Sequence, residues 1–299
     1  MKIRLFSVAL FAGLLAGGRV TAAPTPPVLP ALNVPSSGLR LPGKFVWGDL
    51  LTDNAAVTRK FYSGLFGWNF RAVAPGTNAY TVAFNDDRPL CGIVQVQRRE
   101  GQLGHPRWVG YVSVDNVGRA RDAAIKAGGR VLDGPRKAPK RGEQALLADP
   151  EGSVFGVLKS SSGDPQDFLA DPGDWIWVQL LSREPRSASA FYRSVIGYEV
   201  VENKDSARPD DWVFTSGGYA RAAVMGIPKD RDSVDAGWLA FVRVKQIAEA
   251  VKLATQLGGT VRLSPRPDLF NGKVAVVTDP TGASVGLMEW DGSLLKEAK

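Results

Sequence analysis

Apolar and polar residues along the chain predict a strand, a helix and three further strands. Phe45 to Thr52 is the first predicted strand. Asp53 and Asn54, common N-cap residues, open a helix that Gly67 ends. The apolar face of this helix carries Val57, Phe61 and Leu65. The three strands that follow, separated by turn residues, are predicted at Trp68–Val73, Tyr80–Phe84 and Leu90–Val96.

A second segment with the same order follows directly. Trp108 to Val114 is a predicted strand, and Val117 to Ala127 is a predicted helix that ends at Gly128-Gly129. The last three strands of this segment are predicted at Arg130–Leu132, Gln144–Ala148 and Val154–Leu158. The turn Asp149-Pro-Glu-Gly precedes the last of them, and side-chain bonding to the following backbone explains its aspartate.

Both segments then recur in the second half of the chain at one constant spacing. Trp47-Gly-Asp-Leu-Leu returns as Trp177-Val-Gln-Leu-Leu, and the Phe-Tyr pair of the first helix returns at the same spacing. Trp108 returns as Trp238 and Asp149 as Asp279. A second, shorter spacing occurs within each half. The interval from Trp47 to Trp108 equals the interval from Trp177 to Trp238. The chain is therefore predicted to contain four modules in two pairs.

Flanking segments complete the predicted organisation. Residues 1–23 have the form of a secretory signal peptide, with basic residues, the apolar run Leu5 to Leu15 and small residues at its end, which predicts an exported protein, periplasmic or secreted. The apolar run is too short for a stable membrane span. The remaining boundaries are a Pro-rich extended tether at 24–43, a first domain at 44–159, a linker at 160–173, a second domain at 174–290 and a C-terminal tail at 291–299.

Composition narrows the possible functions only slightly. The basic residues behind the net charge of +7 are scattered over the 299 residues, and the densest run, Arg136 to Arg141, is expected to be a solvated loop, so nucleic acid is not expected as a partner. The single cysteine, Cys91, lies in an apolar run and is expected to be a small buried residue. The sequence does not indicate an oligomeric state.

The module order resembles the vicinal oxygen chelate superfamily, which includes glyoxalase I, bleomycin-resistance proteins and extradiol dioxygenases. The motifs that carry the resemblance are Phe-Tyr-x-x-x-hydrophobic-Gly, from Phe61 to Gly67 and again from Phe191 to Gly197, and the Asp-Pro-x-Gly turn before each last strand. The resemblance covers about residues 44–159 and 174–290 and is closest to duplicated glyoxalase-like proteins. It implies an α+β fold in which four βαβββ modules pair into two domains, each a curved mixed sheet around a cleft.

Metal enzymes of this family hold a divalent ion in that cleft through His, Glu or Gln. The resemblance places the corresponding positions of this chain at Trp47, Trp108, Trp177, Trp238, Gly156 and Gly286. The fourth-strand segment offers only Gln95, and the one histidine, His105, precedes its strand. Because a catalytic divalent site needs about three nitrogen or oxygen ligands, no metal cofactor is expected.

Tryptophan at these positions suggests a binding cleft. If the register holds, Trp47 and Trp108 face one cleft, and Trp177 and Trp238 face the other. Alternation along a strand puts Asp49 beside Trp47 and Gln179 beside Trp177. Aromatic walls with one polar group suit a flat or cationic small molecule held by stacking and one hydrogen bond. The same indoles could instead fill each sheet as core residues.

Three functions remain open on the sequence. The residues favour a metal-free exported protein that binds a small molecule over an enzyme. One alternative is a lyase or dioxygenase of the same superfamily that holds a metal through atypical ligands. The other is an interaction scaffold in the periplasm, because duplicated modules offer a large surface.

Overall fold

The computed structural model describes residues 29–73, 80–96, 106–202, 211–230 and 234–290. The predicted signal peptide, His105 and the predicted C-terminal tail lie outside them. No helix of the described part is long and apolar enough to cross a membrane.

The elements of both halves follow the predicted order. The first half comprises β1 (Phe45–Thr52), α1 (Ala55–Phe66), β2 (Asn69–Ala72), β3 (Tyr80–Asn85), β4 (Arg88–Gln95), β5 (Arg107–Ser113), α2 (Val117–Lys126), β6 (Arg130–Ala138), β7 (Gly142–Ala148) and β8 (Val154–Ser160). The second half comprises β9 (Trp175–Ser182), α3 (Pro185–Ile196), β10 (Glu199–Glu202), β11 (Trp212–Ser216), β12 (Tyr219–Gly226), β13 (Gly237–Val244), α4 (Ile247–Gln256), β14 (Thr260–Leu263), β15 (Val274–Thr278) and β16 (Ser284–Glu289). A short 3₁₀ turn, Phe270–Gly272, precedes β15.

Local signals set the ends of α1 as predicted. Asn54 is the N-cap, and its side chain accepts a hydrogen bond from the backbone N–H of Val57. Gly67 ends the helix in the left-handed conformation, with φ of 76°, which a glycine adopts without steric cost. The clearest error in the predicted bounds is β6, which extends to Ala138 because it pairs with β7 along most of its length.

Each half forms one mixed eight-stranded sheet, which confirms the predicted α+β fold. The strand order is β2-β3-β4-β1-β5-β8-β7-β6 in sheet A and β10-β11-β12-β9-β13-β16-β15-β14 in sheet B. The first strands of the two modules, β1 and β5 or β9 and β13, pair antiparallel at the centre. Each central strand also pairs in parallel with the last strand of its own module.

The helices of one half pack against the helices of the other. One core cluster joins α1 and its strands to α4 and its strands, with Phe61 and Tyr62 against Ile247 and Ala254. A second cluster joins α2 to α3 in the same way. Gly64 shows how close the first contact is, since a Cβ there would lie 2.8 Å from the side chain of Leu257. The helix-bearing faces of both sheets are therefore largely buried between the halves.

Residues 29–43, the described part of the predicted tether, are called the strap. The strap packs mainly on the first half, and the carbonyls of its last two residues also accept hydrogen bonds from the second half. The strap has no helix or strand, as expected, but it does not extend freely into solvent. The backbone N–H groups of Leu32 and Asn33 both donate to the Ser162 hydroxyl at 3.1 Å. The N–H of Ser37 donates to the Ser162 carbonyl at 3.0 Å. Leu32 is buried among residues of β1, β3, β5 and β8.

Candidate functional site

The sheet faces without helices are the candidate binding faces; the face of sheet A is called cleft 1 and that of sheet B cleft 2. In sheet A, Trp47 of β1 is the Cα partner of Tyr111 in β5, and Asp49 is the partner of Val109. Directly paired residues project to the same side of a sheet. Trp47, Asp49 and Tyr111 therefore share cleft 1, which agrees with the alternation predicted for Trp47 and Asp49.

Trp108 and Trp238 do not share the clefts, and the expectation that they do is wrong. Trp108 pairs with Leu50, a residue of the helix-bearing face. Its indole N–H donates to the Tyr62 hydroxyl at 3.1 Å, and the indole of Trp238 donates to Tyr192 at 2.9 Å. Both indoles are part of the packing between halves.

A one-residue difference between the two modules explains this error. The interval between the helix N-caps, Asn54 and Asn116, is longer by one position than the interval between Trp47 and Trp108. A shift of one position moves a strand residue to the opposite face of the sheet. The true counterpart of Asp49 in the second module is Tyr111, and that of Gln179 is Phe241.

Cleft 1 contains a closed network of buried polar side chains. The Trp47 indole donates to Asp49 Oδ1 at 2.8 Å, and the Tyr80 hydroxyl donates to the same oxygen at 2.7 Å. Trp47 and Asp49 are 6% and 5% exposed. Burial, and next the charge of Asp49, hold the pKa of Tyr80 well above its usual value, so this hydroxyl stays protonated as a donor. The pKa of Tyr111 is raised by the same two causes.

Arg141 joins this network to the strap. Its guanidinium carbon lies 4.2 Å from the centre of the Trp47 ring, and its Nη2 donates to the Tyr80 hydroxyl at 3.3 Å. Its Nε donates to the carbonyl of Pro30 at 2.7 Å. Arg141 is only 1% exposed, so Arg141 and the strap together close cleft 1.

Cleft 2 has the same position for its tryptophan but weaker polar contacts. Trp177 is only partly buried, and its indole nitrogen lies 3.4 Å from Oε1 of the buried Gln179. That distance is beyond the usual range for N–H···O bonds. The surrounding apolar side chains are Ile176, Leu239, Leu269, Phe241, Val274, Val276 and Met288. The repeat aligns Arg141 with Asn271, so cleft 2 has no cation at that place.

The residues at the centre of each sheet do not fit a divalent metal. Register places Asp49 beside Gly92 and Tyr111 beside Gly156. A Cβ at Gly92 would lie closer than 3.0 Å to Asp49 and Tyr80, and one at Gly156 would clash with the Tyr111 ring. Cleft 1 therefore offers one central carboxylate, whose Oδ1 already accepts two hydrogen bonds. No three His, Cys, Asp or Glu residues of the described ranges are grouped as ligands.

The centre of cleft 2 has still fewer donors. Gln179 lies beside Ala223, and Phe241 lies beside Gly286. A side chain at Gly286 would collide with the Phe241 ring. Of these four central positions, Gln179 alone has a side-chain atom that could bind a metal.

Gln95, the candidate ligand of the fourth strand, caps a helix instead, and so does Glu289 of β16. Gln95 Oε1 accepts from the N–H of Ala55 at 2.8 Å, at the start of α1. Glu289 Oε2 accepts from the N–H of Ile247 at 2.9 Å, at the start of α4. Both satisfy backbone donors that a helix leaves unpaired in its first turn.

The repeated aspartates do more than form turns. Asp149 Oδ1 accepts from the N–H of Ser153, as expected, but its Oδ2 accepts from the Tyr192 hydroxyl of the other half at 3.1 Å. The Tyr192 hydroxyl accepts from Trp238 in turn. In the second copy Asp279 lies close enough to Tyr62 to raise the pKa of that phenol further, after burial. The prediction that the turn explains these aspartates fully is therefore wrong.

Sequence reasoning missed Tyr80, Tyr111 and Arg141. Tyr111 was detectable, since aligning the two N-caps, Asn54 and Asn116, also aligns it with Asp49. Arg141 ends the basic run that was expected to be a solvated loop, and for this residue the expectation is wrong, because the strap buries it.

A family model described as "Glyoxalase-like domain" matches residues 46–158 and 175–288. Among relatives, the anthracycline biosynthesis protein DauV of Streptomyces sp. (strain C5) is 28% identical over 261 residues, which cover 83% of this chain and 94% of that protein.

Solved structures show the same fold at low identity. The Mn(II)-bound glyoxalase from Novosphingobium aromaticivorans superposes with a TM-score of 0.55 at 12% identity, covering 84% of this chain and 83% of that one. The 2,3-dioxygenase LapB from Pseudomonas sp. KL28 superposes with a TM-score of 0.57 at 10% identity, covering 85% and 94%. These likenesses confirm the predicted superfamily fold.

Proposed function

This chain belongs to the glyoxalase-like domain family, with one copy in each half, and from that premise we propose that it is an exported protein that binds a small flat molecule in cleft 2 without a metal ion. The observation that carries the proposal is the contrast between the two clefts. Trp47 is 6% exposed and held by Asp49, whereas Trp177 is partly open and weakly paired with Gln179.

The chemistry of cleft 2 indicates a neutral aromatic ligand. The Trp177 face provides a stacking surface, and Gln179 provides an amide that both donates and accepts. Apolar side chains such as Phe241 and Met288 surround the pair. A cationic ligand would need a counter-charge, and the carboxylate that could supply one, Asp49, is buried in cleft 1.

Cleft 1 has a structural role in this proposal. Its indole, carboxylate and guanidinium already satisfy one another, and the strap covers them. Replacing these contacts by a ligand would uncover a buried charge, which is costly without a new partner. Trp47 and Asp49 are therefore proposed to stabilise the fold rather than to bind a ligand.

The relative named for anthracycline biosynthesis supports a planar ligand class. Anthracyclines contain a fused aromatic ring system, and a ring system of this shape can stack on a single indole.

The metal-free part of the proposal is supported by the central residues of both sheets. Neither cleft supplies three ligands from the described residues, and Tyr111 and Phe241 occupy the space in which a longer side chain at Gly156 or Gly286 would project. Elemental analysis of protein purified without chelator tests this part directly. Stoichiometric Mn, Fe, Ni or Zn would overturn it and favour a metal-dependent lyase or dioxygenase.

Export is proposed from residues 1–23 alone, whose basic start, apolar run and small residues form a signal pattern. Fractionation of cells that produce the full chain tests it. Full-length protein retained in the cytoplasm would contradict export and leave the binding proposal untouched.

Binding is tested with 1-hydroxyanthraquinone, a flat neutral probe, by titration calorimetry. Trp177→Ala is expected to abolish saturable binding, because the stacking surface is lost. Trp177→Phe, which keeps a ring but no N–H, is expected to weaken it less. Trp47→Phe in cleft 1 is the matched control and is expected to bind like the unaltered protein. Absence of saturable binding, or an equal loss in Trp47→Phe, would overturn cleft 2 as the site.

A further inference from the structure

A groove of about 420 Å³ lies on the outer side of α3, away from both clefts. One wall is a single face of α3 that presents Arg186, Ser189, Ala190 and Arg193. Their spacing of three and four positions places them on one helix face. Two small residues thus separate two arginines. The remaining lining is Val200, Glu202 and Trp212 from β10 and β11.

The first half shows how such a groove is filled. The repeat aligns Arg59 with Ser189, and the Nη1 of Arg59 donates to the Thr81 hydroxyl at 3.5 Å. Thr81 pairs with Ala72 as Trp212 pairs with Glu202, so Thr81 and Trp212 are equivalent. In the second half a serine replaces the long arginine and a tryptophan replaces the threonine. The exchange opens space beside an aromatic ring.

The groove carries unbalanced positive charge. Arg186 lies over the Trp212 ring, with its guanidinium carbon 5.8 Å from the ring centre. Within the described ranges, neither Arg186 nor Arg193 forms an ion pair. Among the described residues, Glu202 is the one carboxylate of the lining, so two guanidinium groups face one acid there. Their counterparts in the first half are Ala56 and Ser63, which carry no charge.

We infer that this groove is a second binding site, for a small aromatic carboxylate. A guanidinium group can bind a carboxylate through two parallel hydrogen bonds, and an indole provides a face for a flat ring. Arg193 would hold the carboxylate, and Trp212 with Val200 would contact the ring. Arg186 adds a second positive charge beside the indole. A neutral or cationic aromatic molecule would leave the two guanidinium groups of the groove with Glu202 as their one acidic neighbour in the described part of the chain.

The site is independent of cleft 2. Gln179 of cleft 2 pairs with Ala223, and Ala223 pairs with Val213, so these residues share the cleft face. Trp212 is the neighbour of Val213 and therefore projects to the opposite face. A failure of the proposed function in cleft 2 would leave this inference standing.

The test is isothermal titration calorimetry of the full chain with 1-naphthoate. The neutral 1-naphthalenemethanol is the comparison ligand. In the Trp177→Ala background, where the stacking surface of cleft 2 is absent, saturable binding of the acid and at least roughly tenfold weaker binding of the alcohol are expected, since one charge-assisted contact contributes about that factor. Ser189→Arg copies the first half and is expected to abolish binding. Ser187→Arg adds the same charge to the same helix outside the groove and is expected to bind 1-naphthoate normally.

Two further variants keep the test decisive if Ser189→Arg does not fold. Arg193→Gln is expected to weaken 1-naphthoate binding about tenfold without changing the affinity for the alcohol. Trp177→Ala, in cleft 2, is expected to leave 1-naphthoate binding unchanged. No saturation with 1-naphthoate, equal affinity for acid and alcohol in the Trp177→Ala background, or an undiminished affinity for 1-naphthoate in Arg193→Gln would each overturn the site.

Discussion

Tyr192 donates a 3.1 Å hydrogen bond to Asp149, which joins a helix of the second half to a turn of the first. The same hydroxyl accepts from the Trp238 indole at 2.9 Å. The phenol is buried, and its burial, followed by the charge of Asp149, holds its pKa well above the usual value. It therefore remains a neutral donor at neutral pH.

Replacing Tyr192 by Phe is expected to lower the free energy of unfolding by about 1–3 kcal/mol, because two buried polar partners lose a hydrogen bond. Urea denaturation measures the change. Tyr219→Phe is the matched control, since Tyr219 is 61% exposed, and is expected to stay within about 0.5 kcal/mol of the unaltered protein. Equal stability of Tyr192→Phe and the unaltered protein would show that the bond across the halves contributes nothing.

The titration of the buried Asp149 carboxyl is expected to make the stability of the protein depend on pH. Burial raises its pKa above the ordinary 3.8, despite the hydrogen bonds from Ser153 and Tyr192. Because the folded state holds this proton more tightly than the unfolded chain, the contribution of this carboxyl to stability is greatest below pH 3.8 and declines as pH rises through the folded pKa. The pKa of Asp279 is raised by the same first cause.

The measurement is the stability of the unaltered protein minus that of Asp149→Asn, from urea denaturation at several pH values above 3.8. Asn keeps an oxygen for the Ser153 N–H and does not titrate. The difference is expected to fall with rising pH and then level off. A difference that rises with pH would mean that hydrogen bonding outweighs burial at this carboxyl.

Alanine substitutions at two nearby positions of the strap are expected to affect stability very differently. Leu32 is 2% exposed, whereas Val34 is 90% exposed. Leu32→Ala is expected to destabilise the protein by about 2–5 kcal/mol through lost burial and a cavity beside Trp47. Val34→Ala is expected to change stability by less than about 0.5 kcal/mol. Thermal unfolding with Trp fluorescence tests both, and similar melting temperatures for the two variants would mean that the strap does not close cleft 1 in solution.

Two glycines of sheet A provide another pair of matched substitutions. A Cβ at Gly156 would clash with Tyr111, whereas one at Gly48 would be 3.7 Å from its nearest neighbour, an ordinary contact. Gly156→Ala is expected to cost about 1–3 kcal/mol by overpacking. Gly48→Ala is expected to be neutral or slightly stabilising. Denaturation midpoints compare the two, and a neutral Gly156→Ala would show that Tyr111 can move and that the cleft centre is open to larger side chains.

The order of elements was predictable because each boundary has a local cause. Asn54 and Gly67 set the ends of α1 through side-chain capping and a left-handed backbone, and the internal repeat supplied the same evidence a second time. The fold class followed from that order.

The cleft faces were predictable only in part. Alternation placed Asp49 beside Trp47 correctly, but Trp108 was assigned to the wrong face because its register depends on pairing between β5 and β1, which lie far apart in the sequence. The role of Arg141 depends on the strap, a segment without periodic pattern, so no local feature revealed it. Both features are set by contacts between residues far apart in the sequence, which local patterns do not reveal.

The packing of α1 against α4 and of α2 against α3 has a consequence for the chain as a folding unit. The repeat boundary at residues 160–173 divides two similar sequences, but each half would expose an apolar helical face if it stood alone. A single half would therefore need a second copy to cover that face. Duplication within one chain supplies the second copy at a fixed ratio, and it frees each half to specialise, one with a sealed sheet face and the other with an open one.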